Sequence, residues 1–356
     1  MSSDTKLYRS NILLTLAAFI IVVAGLRVAS PLLIPLLLSA FIAVISSPPL
    51  FWLKRKGVPT ILALFIVITC VLITVLLLAA LIGTSVDDFS RNLPVYQERL
   101  KEKATVFLLW VDKLGFDVSV DRLYNIFNPS MAMKLVSKML SGLTGVLTNG
   151  FLILLTVIFI LLEASSFSGK LRSILNDPSR SLPYFDTFIQ NVQRYMAIKT
   201  LMSMGTGIFV AIWLAILGVD FALLWGLLAF LMNYIPNIGS ILAAIPAVIL
   251  AFIQLGGASA LLSVAGYVVV NVIVGNIVEP KVMGKGLGLS TLVVFLSLIF
   301  WGWVFGPVGM LLSVPLTMTL KIALDSKEDT RWLAVLLGSE SSKTVVEETA
   351  SESKND

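Results

Sequence analysis

Between Asp220 and Glu279 the chain runs for 58 residues without one charged side chain. As continuous helix this run would be roughly 87 Å long, nearly three crossings of a ~30 Å hydrocarbon core. A second uncharged run, the 35 residues between Lys285 and Lys321, is also too long for one crossing. It carries Gly306-Pro307-Val308-Gly309 at its centre, where a helical hairpin is predicted to turn. The chain as a whole follows suit: 13% of its residues are charged, against about 25% in soluble domains. Lipid solvates such an exterior and water does not. A backbone in lipid must satisfy its own hydrogen bonds, so the expected class is an all-α integral membrane protein.

The same composition removes most chemistry. The chain has no histidine, which excludes His-ligated metals, Ser-His-Asp triads and imidazole proton shuttles. Cys70 is the only cysteine, so no intrachain disulfide forms. No phosphate-binding Gly-Lys loop or dinucleotide fingerprint occurs. The expectation is therefore no enzyme, no cofactor and no metal. The net charge of +5 comes from basic residues scattered between apolar runs, which fits juxtamembrane charge and not nucleic acid.

Apolar runs at Ser10–Leu26, Val28–Leu53 (interrupted late by Pro48-Pro49), Ile61–Gly83 and Met139–Leu162 give the first helices, and a fifth follows Lys199. The organisation read from them is three transmembrane helices in 1–83, an extracytoplasmic amphipathic helical insert in 84–138, and a transport core in 139–325. That core holds a cytoplasmic loop at 163–199, and a largely disordered cytoplasmic tail fills 326–356. Within the insert, Asp117 or Ser119 caps one short helix and Ser130 another. Lys54, Arg55 and Lys56, with Lys281 and Lys285, mark the cytoplasmic side, and both termini fall there.

Two constellations carry the candidate site. The first is Asn233-Tyr234-Ile235-Pro236-Asn237-Ile238-Gly239, a helix break deep in the long uncharged run. Backbone groups freed there survive only beside protein or a water-filled cavity, as in transporter sites; an ordinary polar turn is the plainer alternative. Whether 221–255 crosses fully or re-enters stays open at this level. The second is Tyr267, Asn271, Gly275 and Glu279, whose spacing of four puts them on one helical face. Glu279 is either a gate or coupling carboxylate, or an interfacial group paired with Lys281 or Lys285. Asp220 and Glu163 read as boundary charges, and Gly302-x-x-x-Gly306 as a close-packing motif.

Four segments then resemble a known family: Asn233–Gly239, Gly275-Asn276-Ile-Val-Glu279-Pro-Lys281, Gly286-Leu-Gly-Leu-Ser290, and the stretch from Gly306 and Pro307 through Gly309 to Pro315. Together they resemble the autoinducer-2 exporter family, also called PerM-like permeases. The resemblance implies a multi-pass bacterial inner-membrane protein with about eight membrane segments, some broken or re-entrant. It also implies a homo-oligomer, such as a pentamer, and export of the quorum-sensing signal autoinducer-2. Sodium or lithium/proton antiport is the alternative, and a non-transporting scaffold or regulator is the second. On this reading Asn233, Tyr234, Pro236, Asn237, Gly239, Tyr267, Asn271 and Asn276 line the solute pathway. Glu279 and Lys281 gate it, and Gly306, Pro307 and Gly309 form the hinge. A small hydroxylated solute needs hydrogen-bonding groups, whereas an antiporter needs buried carboxylates. Glu279 is the only carboxylate between Asp220 and Asp325, which favours the neutral solute.

Overall fold

A computed structural model describes residues 17–113, 149–174, 178–236, 238–283, 288–325 and 330–338. The described residues are helical with turns and contain no strand. In chain order the helices are α1 (Ala17–Val28), α2 (Ser30–Arg55), α3 (Thr60–Lys113), α4 (Gly150–Ile174), α5 (Pro178–Leu217), α6 (Ala222–Met232) and α7 (Gly239–Leu255). Then come α8 (Gly257–Val270), a π-helical segment (Asn271–Val278), α9 (Glu279–Met283), α10 (Thr291–Asp325) and α11 (Arg331–Leu337). Five stretches are long and apolar enough to cross a membrane: Ser30–Arg55, Thr60–Arg99, Ile189–Leu217, Gly257–Val278 and Thr291–Asp325. On α3, Ile61 is 84% exposed and Leu77 66%, an exterior that only lipid can cover. The chain is an all-α integral membrane protein.

Several boundaries differ from the sequence reading. Helix α2 runs through Pro48-Pro49 without a break. Helix α3 is one 54-residue helix that carries past residue 84 to Lys113, with Pro94 inside it. Residues 163–174 and 178–199 are helical in α4 and α5, so polar composition there changes the solvent of the helix and not its conformation. Residues 331–337 of the tail are helical and pack on α10. The insert helices at 119–139, the start of the first apolar run and Asn237 lie outside the described residues.

The chain divides into two units. One comprises the described residues of Met1–Val44, Leu152–Val192 and Gly286–Asp356. In it the Ser39 hydroxyl reaches the carbonyls of Pro35 (2.7 Å) and Ile153 (3.1 Å), tying α2 to α4. Helix α10 is broken at Gly306, whose φ of 65° and ψ of −148° suit glycine and few other residues. Trp301 Nε1 donates to Thr317 Oγ1 at 3.0 Å. Sixteen residues of straight helix would hold them roughly 24 Å apart, so the chain doubles back at Gly306. Trp301 stacks on Phe305 inside this hairpin, while Trp303 stays outside with Arg27 over its ring.

The other unit comprises the described residues of Ile45–Phe151 and Gln193–Lys285. Its core gathers Phe89 of α3, Leu214 of α5, Trp225 and Leu228 of α6, Ala247 and Leu250 of α7, and Tyr267 of α8. Small residues set the distances: a Cβ on Gly207 of α5 would meet the Gly226 carbonyl of α6 at 2.8 Å. Such close approach is how membrane helices gain packing energy, since lipid offers no hydrophobic drive between them.

Candidate functional site

The site grows from α5. Its residues Gln193, Lys199, Thr200, Ser203 and Thr206 recur at helical spacing, so they share one face of a helix otherwise apolar from Ala197 to Leu217. Lys199, Ser203 and Thr206 are buried. A polar stripe at that depth must find protein partners, and two segments of the same unit bring them.

The first is the turn between α6 and α7. At 11 residues α6 is roughly 16 Å long, too short to cross alone. It packs against α7, so the pair forms a hairpin. The open end of that hairpin lies at Asp220, whose backbone N–H donates to Gln254 Oε1 of α7 at 3.1 Å. The tip, Asn233–Gly239, meets the α5 stripe. Asn233 Nδ2 donates to Ser203 Oγ at 3.0 Å, and the Tyr234 hydroxyl donates to Thr200 Oγ1 at 2.8 Å. Asn233 and Tyr234 are both buried. Gly239 is required for the turn to close, because a Cβ there would overlap the Met232 carbonyl. The segment 221–255 is thus a helical hairpin that leaves the Asp220 end of α5 and turns back beside Thr200 and Ser203.

The second partner is Glu279, at the junction of the π-helical segment and α9. Its Oε1 lies 2.7 Å from Lys199 Nζ, with side-chain exposures of 16% and 6%. Of the partners expected from the sequence, Lys281 is exposed and makes no ion pair among the described residues, and Lys285 lies outside them. Coulombic attraction at this depth offsets the cost of removing both charges from water only while the pair stays closed. Lys199 sits well inside the helix, where the sequence reading had placed the helix start, and so it was missed. The signal was present: a lysine in phase with Ser203 and Thr206 on a helical stripe.

The remaining candidates are spread more widely. Tyr267 is buried and donates to the Ala243 carbonyl at 3.3 Å, bracing α8 against α7. Asn271 is half-buried and begins the π-helical segment. A π turn closes on the fifth residue and so holds more residues per turn. Steps of four there fall short of one turn by about as much as they overshoot it in an α-helix, so the stripe drifts back the other way. Asn276 is exposed. Pro236 is half-buried at the hairpin tip. Gly306, Pro307 and Gly309 belong to the other unit, in its hairpin.

At the opposite end of α5, Asp220 is more than a boundary charge. Its Oδ2 accepts from the Tyr96 hydroxyl of α3 at 3.0 Å and from Gln254 Nε2 of α7, and its carbonyl accepts from Trp225 Nε1 at 2.9 Å. Lys103 caps this end by donating to the Phe252 carbonyl at 2.7 Å. Lys199 and Asp220 are 21 residues apart, or roughly 32 Å along a helix, about one membrane thickness. The apolar stretch of α5 is therefore flanked by a polar cluster on each side, with neutral hydrogen-bonding groups between. No group of His, Cys, Asp or Glu fit to hold a metal occurs among the described residues.

Comparison with known proteins places this architecture. Residues 16–329 match the family described as AI-2E family transporter. The chain is 43% identical over 327 residues to the AI-2 transport protein TqsA of Escherichia coli, covering 92% of this chain and 95% of that one. It is 41% identical to a Haemophilus influenzae protein named as an unproven transport protein, over 95% of this chain and 98% of the relative. It is 37% identical to the similarly named YhhT of Escherichia coli, over 92% and 94%.

Proposed function

The chain belongs to the AI-2E transporter family, and from that premise we propose that it exports autoinducer-2, a small neutral hydroxylated signal, across the bacterial inner membrane. The observation that carries the substrate class is the chemistry of the hairpin tip. Asn233, Tyr234, Thr200 and Ser203 meet there as uncharged donors and acceptors, and the one carboxylate nearby is already matched by Lys199. A polar neutral solute exchanges its hydration for such groups without needing a fixed charge. A cation would need a carboxylate free of its lysine.

In this reading Lys199–Glu279 is the gate on the cytoplasmic side and the Tyr96–Asp220–Gln254 cluster closes the outer side. Opening the inner gate separates α5 from the π-helical segment, whose longer turn lets it shift without losing every backbone bond. Basic residues at Lys54–Lys56 and Lys281 support reading that side as cytoplasmic. Several copies of the chain assemble in the membrane. Reporter fusions at Lys56 and after Arg331 should read as cytoplasmic.

The deciding experiment is counterflow of labelled autoinducer-2 in proteoliposomes of the purified chain, with sodium and lithium gradients as controls. Autoinducer-2 counterflow without cation-coupled proton movement is the expected result. Cation-driven proton flux without counterflow would replace this reading with antiport, and no flux of either kind would leave a scaffold.

A further inference from the structure

One buried atom points to where inside the span the solute is held. Thr74, Thr84, Thr156, Thr200 and Thr319 each return their hydroxyl to the carbonyl four residues earlier, the usual local solution inside a helix. Thr206 does not. It is 3% exposed, and its Oγ1 has no hydrogen-bond partner among the described residues. A buried hydroxyl left alone is costly, and where one persists in a folded protein it marks a place for water or a ligand. One turn nearer Lys199 is Ser203, which is fully buried. Its oxygen accepts from Asn233, and its own proton meets no acceptor among the described residues. An offset of three puts the two hydroxyls on the same face of α5 as neighbours. The spare hydrogen-bonding capacity of the whole stripe is thus concentrated in one place, roughly 10 Å along the helix from the ion pair.

We propose that Ser203 and Thr206, with Asn233 at the tip of the helical hairpin, form a hydroxyl-binding subsite for a neutral, multiply hydroxylated small molecule. The inference rests on the export reading above and gives it an address. The Ser203 proton donates to one solute oxygen, and Thr206 accepts from or donates to another. Lys199 and Glu279 neutralise each other, so an anion or a cation gains no counter-charge at this position.

The test uses the full chain in proteoliposomes with three variants. Thr206→Val keeps the shape and removes the hydroxyl, Ser203→Ala removes its neighbour, and Thr206→Ser keeps the hydroxyl. Thr206→Val and Ser203→Ala should each raise the autoinducer-2 concentration for half-maximal counterflow by about five- to tenfold at a similar maximal rate. Thr206→Ser should stay near wild type. The thermal midpoint of Thr206→Val should not fall, because a methyl group needs no partner. Unchanged half-saturation in both hydroxyl-free variants of an active transporter would mean that only a structural water sits there, and the proposal falls. A second readout does not depend on what the protein carries. In a Cys70→Ser background, Thr206→Cys should react with a small water-soluble methanethiosulfonate, and millimolar erythritol should slow it. Reaction and protection without autoinducer-2 counterflow would keep the subsite and discard the signal as substrate. No reaction at this position would discard the subsite even if counterflow is normal.

Discussion

The molecule breaks two of its apolar helices with almost the same vocabulary and to different ends. One break is Asn233–Gly239, between α6 and α7; the other is Gly306–Gly309, within α10. Each combines proline with glycine, and each turns the chain back so tightly that a late glycine lies against a carbonyl seven or eight residues earlier. A Cβ on Gly239 would overlap the Met232 carbonyl, and one on Gly309 the Trp301 carbonyl. What surrounds them differs. The first is met by Ser203 and Thr200 and sits near a charged pair. The second is filled by Trp301 stacked on Phe305, with one indole hydrogen bond to Thr317. Proline and glycine decide that a helix turns; the side chains facing the turn decide whether it is a site or a brace.

The comparison can be broken first at its shared geometry. Gly239→Leu and the double substitution Gly306→Leu with Gly309→Leu should both abolish recovery of monodisperse protein from membranes, since backbone would have to move in each. Size-exclusion yield after detergent extraction measures this, and normal yield for either would mean that its turn is not closed as described. The next largest effect belongs to the first region alone. Lys199→Ala leaves Glu279 buried and unpaired, and should cost about 3–5 kcal/mol. Joining Lys199→Met to Glu279→Met should recover most of that loss in a denaturation series, though not the gating. If Lys199→Ala is as stable as wild type, the pair is open to water and is no gate.

Proline substitutions sharpen the contrast in function. Pro236→Ala lets α6 and α7 extend toward each other and should slow autoinducer-2 counterflow more than about tenfold, given a helix cost for proline near 3 kcal/mol. Pro307→Ala, at the first position after the break, should cost less than about 1 kcal/mol and leave counterflow near normal, because glycine makes that turn. Equal transport defects would erase the distinction between site and brace. Smallest is the loss of one hydrogen bond on each side, about 0.5–1.5 kcal/mol. Asn233→Ala should raise the half-saturating solute concentration by up to about tenfold. Trp301→Phe should lower only the thermal midpoint, with transport kinetics unchanged.

Legibility in the sequence tracked the physical range of each effect. Uncharged runs of 58 and 35 residues dictate membrane helices wherever they fold, because lipid offers no partner to a backbone or a charge. Proline and glycine act on their own dihedral angles, so both breaks stood out before any packing was considered. Helix ends in the polar segments were harder to read. Polar composition suggests a loop at 163–199 and a separate insert from 84, yet α4 and α5 are helical on both sides of 175–177 and α3 runs unbroken to Lys113, since charged side chains suit a helix as well as apolar ones do. The partner of Glu279 was not legible at all. Sequence neighbours offered Lys281, while the fold brought Lys199 from 80 residues away.

The amino-acid order by itself determined the solvent this chain requires, the helical class that follows from it and the two places where helices must break. Only the tertiary structure decided which polar groups meet: Asn233 with Ser203, Tyr234 with Thr200, Lys199 with Glu279, Asp220 with Tyr96 and Gln254. Local rules act through bonds and a few residues of chain, so they are written along the sequence. A hydrogen bond across a membrane domain depends on the packing of every helix between its ends, and that packing is settled by small residues such as Gly207 and Gly226 whose partners the chain order does not name.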